Sequence, residues 1–188
     1  MKKILVVLLL ATLSIHAFSQ KGDLTVGAKS GYILSTGDVK FNNILYGFDV
    51  AYHISDRMPL EVVFTGLMNP SFYRKDEDNK KENLAVYSAS LDFRLYLINQ
   101  REWSTGPALG GQYYIYNNKT ADLGSDKTLG FNLGWHVRVN LTDYVKINGG
   151  WRYTNAKAKD ANHWNKDAKL DLNHHLIYLG IGYTFELR

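Results

Sequence analysis

Residues 128–141 read TLGFNLGWHVRVNL, and a large apolar side chain stands at every second position. Glycine or a polar residue fills each position between. Because successive side chains of a β-strand point to opposite faces, this period of two predicts a strand with one apolar and one small or polar face. The same alternation recurs along most of the chain, and no stretch of a dozen residues has a clean helical period. We therefore expect an all-β fold.

Eight strands are predicted, and their connections alternate between short and long. Short turns fall at 55–58, 99–102 and 142–144, whereas long polar connections fall at 35–43, 69–83, 117–127 and 155–173. Pro107 cannot donate to a strand ladder, so regular pairing of the fifth strand is expected to begin near Ala108. Alternating connections and an even strand number are typical of an eight-stranded antiparallel up-and-down transmembrane β-barrel. The predicted strands are 24–34, 44–54, 60–68, 84–98, 108–116, 128–141, 145–154 and 175–187.

Side-chain size predicts which face points outward. The interior of an eight-stranded barrel is only just wide enough for ordinary side chains. The apolar face carries many rings, including Trp135 and Trp151, while the opposite face is rich in glycine. The rings are therefore expected to face lipid. Rings near strand ends are candidates for interfacial girdles, although general β-propensity also explains them: Tyr46, Tyr87, Trp103, Tyr113, Tyr144, Tyr153 and Phe185.

The inward face also carries ionisable residues. An isolated charge would lose several kcal/mol of hydration there, so a network of ion pairs and hydrogen bonds that plugs the barrel is expected. A small-solute pore lined by the same groups, or a conduit for hydrophobic solutes, remains the alternative. The residues predicted to form this polar interior are Lys29, Asp49, Glu61, Asp92, Arg94, His136, Arg138, Lys146 and Arg152.

The first nineteen residues have the pattern of a secretory signal peptide. Lys2 and Lys3 precede an apolar stretch at 4–13, and the small residues Ala17 and Ser19 suit cleavage after Ser19. The predicted organisation is a signal peptide at 1–19 and one barrel domain at 20–188. Loss of the two lysines lowers the formal charge from +4 to +2, so the composition does not indicate a nucleic-acid partner. The chain has no cysteine, which excludes disulfides.

These features resemble the small outer-membrane barrels of the OmpA/OmpX type. The segments PALGG at 107–111 and YLGIGYTF at 178–185 carry the resemblance together with the eight alternating strands. The resemblance implies insertion by the outer-membrane assembly machinery and contact with outer-membrane lipid and lipopolysaccharide. The long segments 69–83 and 155–173 are then expected to be extracellular loops that could contact a ligand.

No enzymatic activity is expected from the sequence. His174 and His175 are adjacent and should point to opposite faces of a strand, and the motifs G-x-S-x-G and H-E-x-x-H do not occur. A metal site built from these histidines with His163 and Asp160 or Asp171 is the weaker interpretation, because loop histidines among lysines are usually only solvated. We therefore expect no catalytic residue, no metal and no cofactor.

Overall fold

The computed structural model of the chain describes residues 22–37, 43–54, 59–75, 81–118, 125–159 and 169–186. The predicted signal peptide at 1–19 lies outside these ranges, as do the predicted turn 55–58 and the middle parts of the long connections. Within the described ranges there is no helix long and apolar enough to cross a membrane.

Eight antiparallel strands close into a barrel, which confirms the predicted fold. The last strand pairs with both the first, through Leu24 and Phe185, and the preceding long strand, through Ile177 and Trp151. The barrel strands are β1 (Asp23–Ser35), β2 (Asn43–His53), β3 (Leu60–Lys75), β4 (Lys81–Leu95), β6 (Trp103–Asn118), β7 (Ser125–Asn140), β8 (Val145–Lys159) and β10 (His174–Glu186). Two short strands, β5 (Ile98–Asn99) and β9 (Lys169–Asp171), pair with β6 and β8.

The two ends of the barrel differ. The turn end comprises the short connections after β2, β4 and β7 together with the outer ends of β1 and β10. The loop end carries the four longer connections. In transmembrane barrels the short turns face the periplasm and the long loops face the exterior.

The expected loop at 69–83 is mostly strand, which corrects the sequence-based boundary. β3 runs on to Lys75 and β4 begins at Lys81, with a register shift between Asn69 and Phe72. β2 pairs with β3 only as far as Tyr46 opposite Met68, so the β3–β4 hairpin extends beyond the neighbouring wall. Charged residues are compatible with such a ribbon, because its backbone ladder is satisfied between two strands.

The fifth barrel strand, β6, starts at Trp103, earlier than predicted, although its pairing with β4 does begin at Ala108. Its partner on one side changes here, from Ala108 opposite Arg94 in β4 to Thr105 opposite Ile98 in β5. Pro107 lies in the interruption between these two pairings. A residue without an N–H is tolerated there, because no continuous ladder has to be satisfied on that side.

The other long connections are shorter than predicted as well. β6 continues to Asn118 and β7 begins at Ser125, so the expected loop at 117–127 begins and ends in strand. β8 extends to Lys159 and pairs with β9, whose Asp171 lies opposite Lys157. The predicted loop at 155–173 therefore contains a second hairpin at the loop end.

The large rings on the apolar face of the strands point outward, as their size predicts. Trp135 is 46% exposed and Trp151 is 40% exposed, although both lie in the middle of long strands. Tyr144 stacks on Tyr183 at the turn end, with ring centroids 5.9 Å apart. Tyr52 is an exception, because it shares the outward register and is nevertheless buried.

Glycine makes room for the interior. A Cβ atom placed on Gly150 would first meet the backbone carbonyl oxygen of Trp135, and it would lie 2.8 Å from the hydroxyl of Tyr178, which points into the lumen from β10. Its neighbour Gly149 faces the other way and would meet only ordinary contacts, with nearest atoms 3.4 and 3.5 Å away. The inward glycine therefore allows a tyrosine inside a narrow barrel.

Candidate functional site in the barrel interior

Glu61 is the centre of the polar layer nearest the turn end. Its carboxylate accepts hydrogen bonds from Arg94 Nη1 at 3.2 Å and from the Tyr96 hydroxyl at 2.8 Å. Arg138 Nη1 lies 3.5 Å from the other carboxylate oxygen. Three strands and the turn after β4 supply these side chains, so the contacts connect β3, β4 and β7 across the lumen. A single buried carboxylate thus holds two guanidinium groups.

Tyr96 lies just beyond β4 and links this layer to His136. The Tyr96 hydroxyl is 3.1 Å from His136 Nε2, and the guanidinium of Arg138 lies 4.5 Å from the Tyr96 ring centroid. Burial is the main cause that raises the pKa of Tyr96 well above 10.0, and the nearby Glu61 carboxylate adds to it. The phenol therefore stays protonated and donates a hydrogen bond to Glu61.

Asp49 organises the next layer. Lys29 Nζ lies 2.7 Å from its Oδ1, the hydroxyl of Thr65 donates to the same oxygen, and Arg94 Nη2 lies 3.8 Å from Oδ2. The Lys29 ammonium also lies over the ring of Tyr178, 4.9 Å from its centroid. Since Arg94 contacts both Asp49 and Glu61, it joins the two layers into one network.

A second group surrounds Asp92, which lies on β4 two residues before Arg94. Arg152 Nη1 donates to Asp92 Oδ2 at 3.2 Å and to Ser90 Oγ at 3.1 Å. Asn132 Nδ2 donates to the other Asp92 oxygen at 3.0 Å, while Asn132 Oδ1 accepts from the hydroxyl of Thr154 at 2.9 Å. The Asp92 carboxylate therefore has hydrogen-bond donors on both oxygens.

Lys146 lies apart from both groups, at the turn end, with its ammonium 3.9 Å from Asp23 Oδ2. It lines an open vestibule of about 820 Å³ together with Arg138, Arg101, Glu102 and other rim residues. The structure thus buries all nine residues predicted for the interior. It brings them together in the two groups described and leaves Lys146 at the mouth.

Sequence reasoning missed an apolar layer that closes the loop end of the lumen. These positions have inward register but lie at strand ends or in the hairpin formed with β9, where the alternation of the sequence is broken. The consecutive apolar residues Tyr32 and Ile33, or Ile44 and Leu45, were the available signal. The buried cluster consists of Ile33, Leu45, Leu67, Val86, Tyr114, Ala156, Leu172, Leu176 and Tyr178.

Leu172 reaches this layer because the segment after β9 folds over the lumen. Its N–H donates to the carbonyl of Ala156 at 2.9 Å, and the carbonyl of Asn173 accepts hydrogen bonds from the backbone of Thr36 and Gly37. The β9 hairpin is thereby tied to the ends of β1 and β8. In the middle of the barrel, side chains of the Asp49 network and of the Asp92 group line a cavity of about 10 Å³.

The two histidines at the start of β10 lie on opposite faces of the strand. His174 is buried, and its Nδ1 lies 2.9 Å from the carbonyl oxygen of Leu172. His175 faces outward, where Trp151 Nε1 donates to its Nδ1 at 3.1 Å. Among the described residues no group of three His, Asp or Glu side chains is placed to hold a metal. His163 and Asp160 lie outside them.

The family model of the outer membrane protein beta-barrel domain matches residues 5–186 of the chain. The chain belongs to this outer-membrane β-barrel family. Membership places the barrel in the outer membrane. No curated protein matches the chain.

Solved structures agree on the fold at low sequence identity. A major outer membrane protein from Thermus thermophilus has a TM-score of 0.60 at 14% identity, covering 88% of this chain and all of the other. OprG from Pseudomonas aeruginosa has a TM-score of 0.57 at 15% identity and covers 89% of this chain and 98% of its own. The N-terminal barrel domain of OprF from the same organism has a TM-score of 0.52 at 15% identity, covering 88% of this chain and 100% of its own.

Proposed function

We propose that this outer-membrane barrel is a closed structural element that acts through its loop end and does not conduct solutes. The observation that carries the proposal is the filled lumen. Ion pairs centred on Glu61 and Asp49 cross it, and the cavity in the middle of the barrel has room for about one water molecule. The apolar layer around Leu172 adds a second obstruction nearer the exterior.

A steady pore would require both layers to move. The vestibule at the turn end is wide, but the path inward from it meets Arg138, Glu61 and Tyr96, which are all buried and joined to one another. Parting a buried ion pair costs about 3–5 kcal/mol when one partner is left alone. The contacts therefore favour a closed resting state.

Planar-bilayer recording of the purified full chain tests closure. We expect no steady conductance from the wild type. The double variant Arg94→Ala with Tyr178→Ala removes two large interior side chains and should raise the conductance, which shows that the assay detects an opened lumen. Large, steady wild-type currents would overturn the proposal.

The loop end is the proposed contact surface for lipopolysaccharide, a host surface or another envelope protein. Support comes from the β3–β4 hairpin, which extends past the end of the β2 pairing and carries the mixed-charge sequence around Arg74 and Glu82. The β9 hairpin contributes a second element at the same end. Mixed charge suits both phosphate and cation contacts. The proposal assigns no catalytic step to the barrel.

Replacing residues 72–83 with a short Gly-Ser turn tests the β3–β4 hairpin, and the same replacement at 160–168 tests the β9 hairpin. Heat-modifiability on gels verifies that each variant folds. We expect the first variant to lose binding to lipopolysaccharide micelles or to host cells while it still inserts. Unchanged binding by both folded variants would contradict a role for these hairpins.

A conduit for hydrophobic solutes is the second candidate, since the layer around Leu45 and Leu176 presents apolar side chains inside the loop end. Uptake of a fluorescent apolar probe into cells with and without the barrel tests it. Equal uptake would remove this candidate and leave the closed structural role.

A further inference from the structure

The interior carries more positive than negative charge. The buried cations among the described residues are Lys29, Arg94, Arg138, Lys146 and Arg152, whereas the buried carboxylates are Asp49, Glu61 and Asp92. Asp23, half exposed at the rim, balances Lys146. One positive charge in the described lumen therefore has no matching carboxylate, and an uncompensated buried charge is strongly unfavourable.

The surplus falls on Lys29, Arg94 and Arg138, which share the carboxylates of Asp49 and Glu61. Arg152 pairs with Asp92 but carries two donors that no described residue satisfies. It is 5% exposed, and only its Nη1 is bonded, to Asp92 and Ser90. Its Nε and Nη2 are buried and have no hydrogen-bond partner in the described part of the protein. Two nitrogens of this buried guanidinium thus lack a hydrogen-bond acceptor among the described residues. Binding an acceptor there would be favourable, because a buried donor without one is costly.

The small central cavity lies directly beside this group. Arg152, Lys29 and Arg94 line it, while Asp92 is the only carboxylate among its lining residues. The phenol of Tyr178 and the small residues Ala108 and Gly134 complete the wall, as do Asn132 and Trp151. The cavity is therefore lined by three cations and one carboxylate.

We propose that this cavity binds one small monovalent anion, such as chloride, through the free Nε–H and Nη2–H of Arg152. The volume of about 10 Å³ accommodates one particle near the size of water, which excludes phosphate and other polyatomic oxyanions. The surplus charge favours an anion over a neutral water, because the anion both accepts the hydrogen bonds and neutralises the lumen. The anion would join the Asp92 group to the Asp49 network and stabilise the closed interior. This site does not depend on any contact made by the loop end.

Unfolding of the full chain in lipid vesicles tests the site. Chloride is varied against gluconate, which is too large for the cavity, at constant ionic strength. Release of one anion on unfolding makes the logarithm of the unfolding constant fall with the logarithm of chloride concentration, with a slope approaching about −1 at saturation. Arg152→Gln should abolish the slope, whereas Lys146→Gln, at the vestibule, should retain it. Equal unfolding constants in the two salts, or an undiminished slope in Arg152→Gln, would overturn the proposal.

A crystal of the wild-type barrel grown in bromide supplies a measurement that needs no variant. An anomalous peak beside Arg152 supports the anion site even if Arg152→Gln fails to fold. Density there without anomalous signal would identify a water and refute the proposal.

Discussion

Neutralising Glu61 should be the most damaging isosteric change in the interior. Glu61→Gln keeps the shape and one acceptor oxygen but removes the charge that holds Arg94 and Arg138, at 3.2 and 3.5 Å. Each attraction is worth about 4 kcal/mol at 4 Å with an effective dielectric constant of about 20. The glutamine is also cheaper to bury by several kcal/mol, since the carboxylate no longer has to be desolvated. The net loss should be about 3–5 kcal/mol.

Urea unfolding in phospholipid vesicles, followed by tryptophan fluorescence, measures this free energy. Glu102→Gln is the matched control, because Glu102 is exposed at the turn end and its change should stay within about 0.5 kcal/mol. Combining Glu61→Gln with Arg138→Gln removes one of the cations that the first change leaves unpaired. The double variant should therefore lose less unfolding free energy than the two single variants lose in total. A loss below about 1 kcal/mol for Glu61→Gln would refute the view that this carboxylate holds the layer together.

Three further outcomes follow from the packing, each measured by the same urea unfolding. Trp135→Arg should cost about 2–4 kcal/mol more than Trp135→Leu, since only the first places a charge against lipid; equal losses would argue against a lipid-facing ring. Gly150→Ala should destabilise by about 1–3 kcal/mol because its new methyl meets the carbonyl oxygen of Trp135 and the hydroxyl of Tyr178, whereas Gly149→Ala should be tolerated. The reverse order would contradict the inward register of β8. Leu172→Ala should cost about 2–5 kcal/mol through the cavity left in the apolar layer, and a neutral result would show that the β9 hairpin does not seal the lumen.

The local pattern of the sequence was sufficient to predict several features of the fold. Strand number, antiparallel order and the outward face of Trp135 and Trp151 follow from alternation and side-chain volume, which are properties of each strand alone. The ends of the strands were harder to predict from the sequence. The β3–β4 hairpin continues through charged residues because its ladder needs a partner strand and no apolar face, so composition could not mark its limit.

The sequence by itself determined that this chain forms an eight-stranded barrel with rings outside and glycines and ionisable groups inside. Only the tertiary structure decided that Arg94 joins Asp49 to Glu61 while Arg152 pairs with Asp92, since these partners lie on different strands or in different layers. It also decided that Leu172 closes the loop end. Alternation states which way a side chain points, but its height along the axis and its partner across the lumen depend on the shear and tilt of the closed barrel.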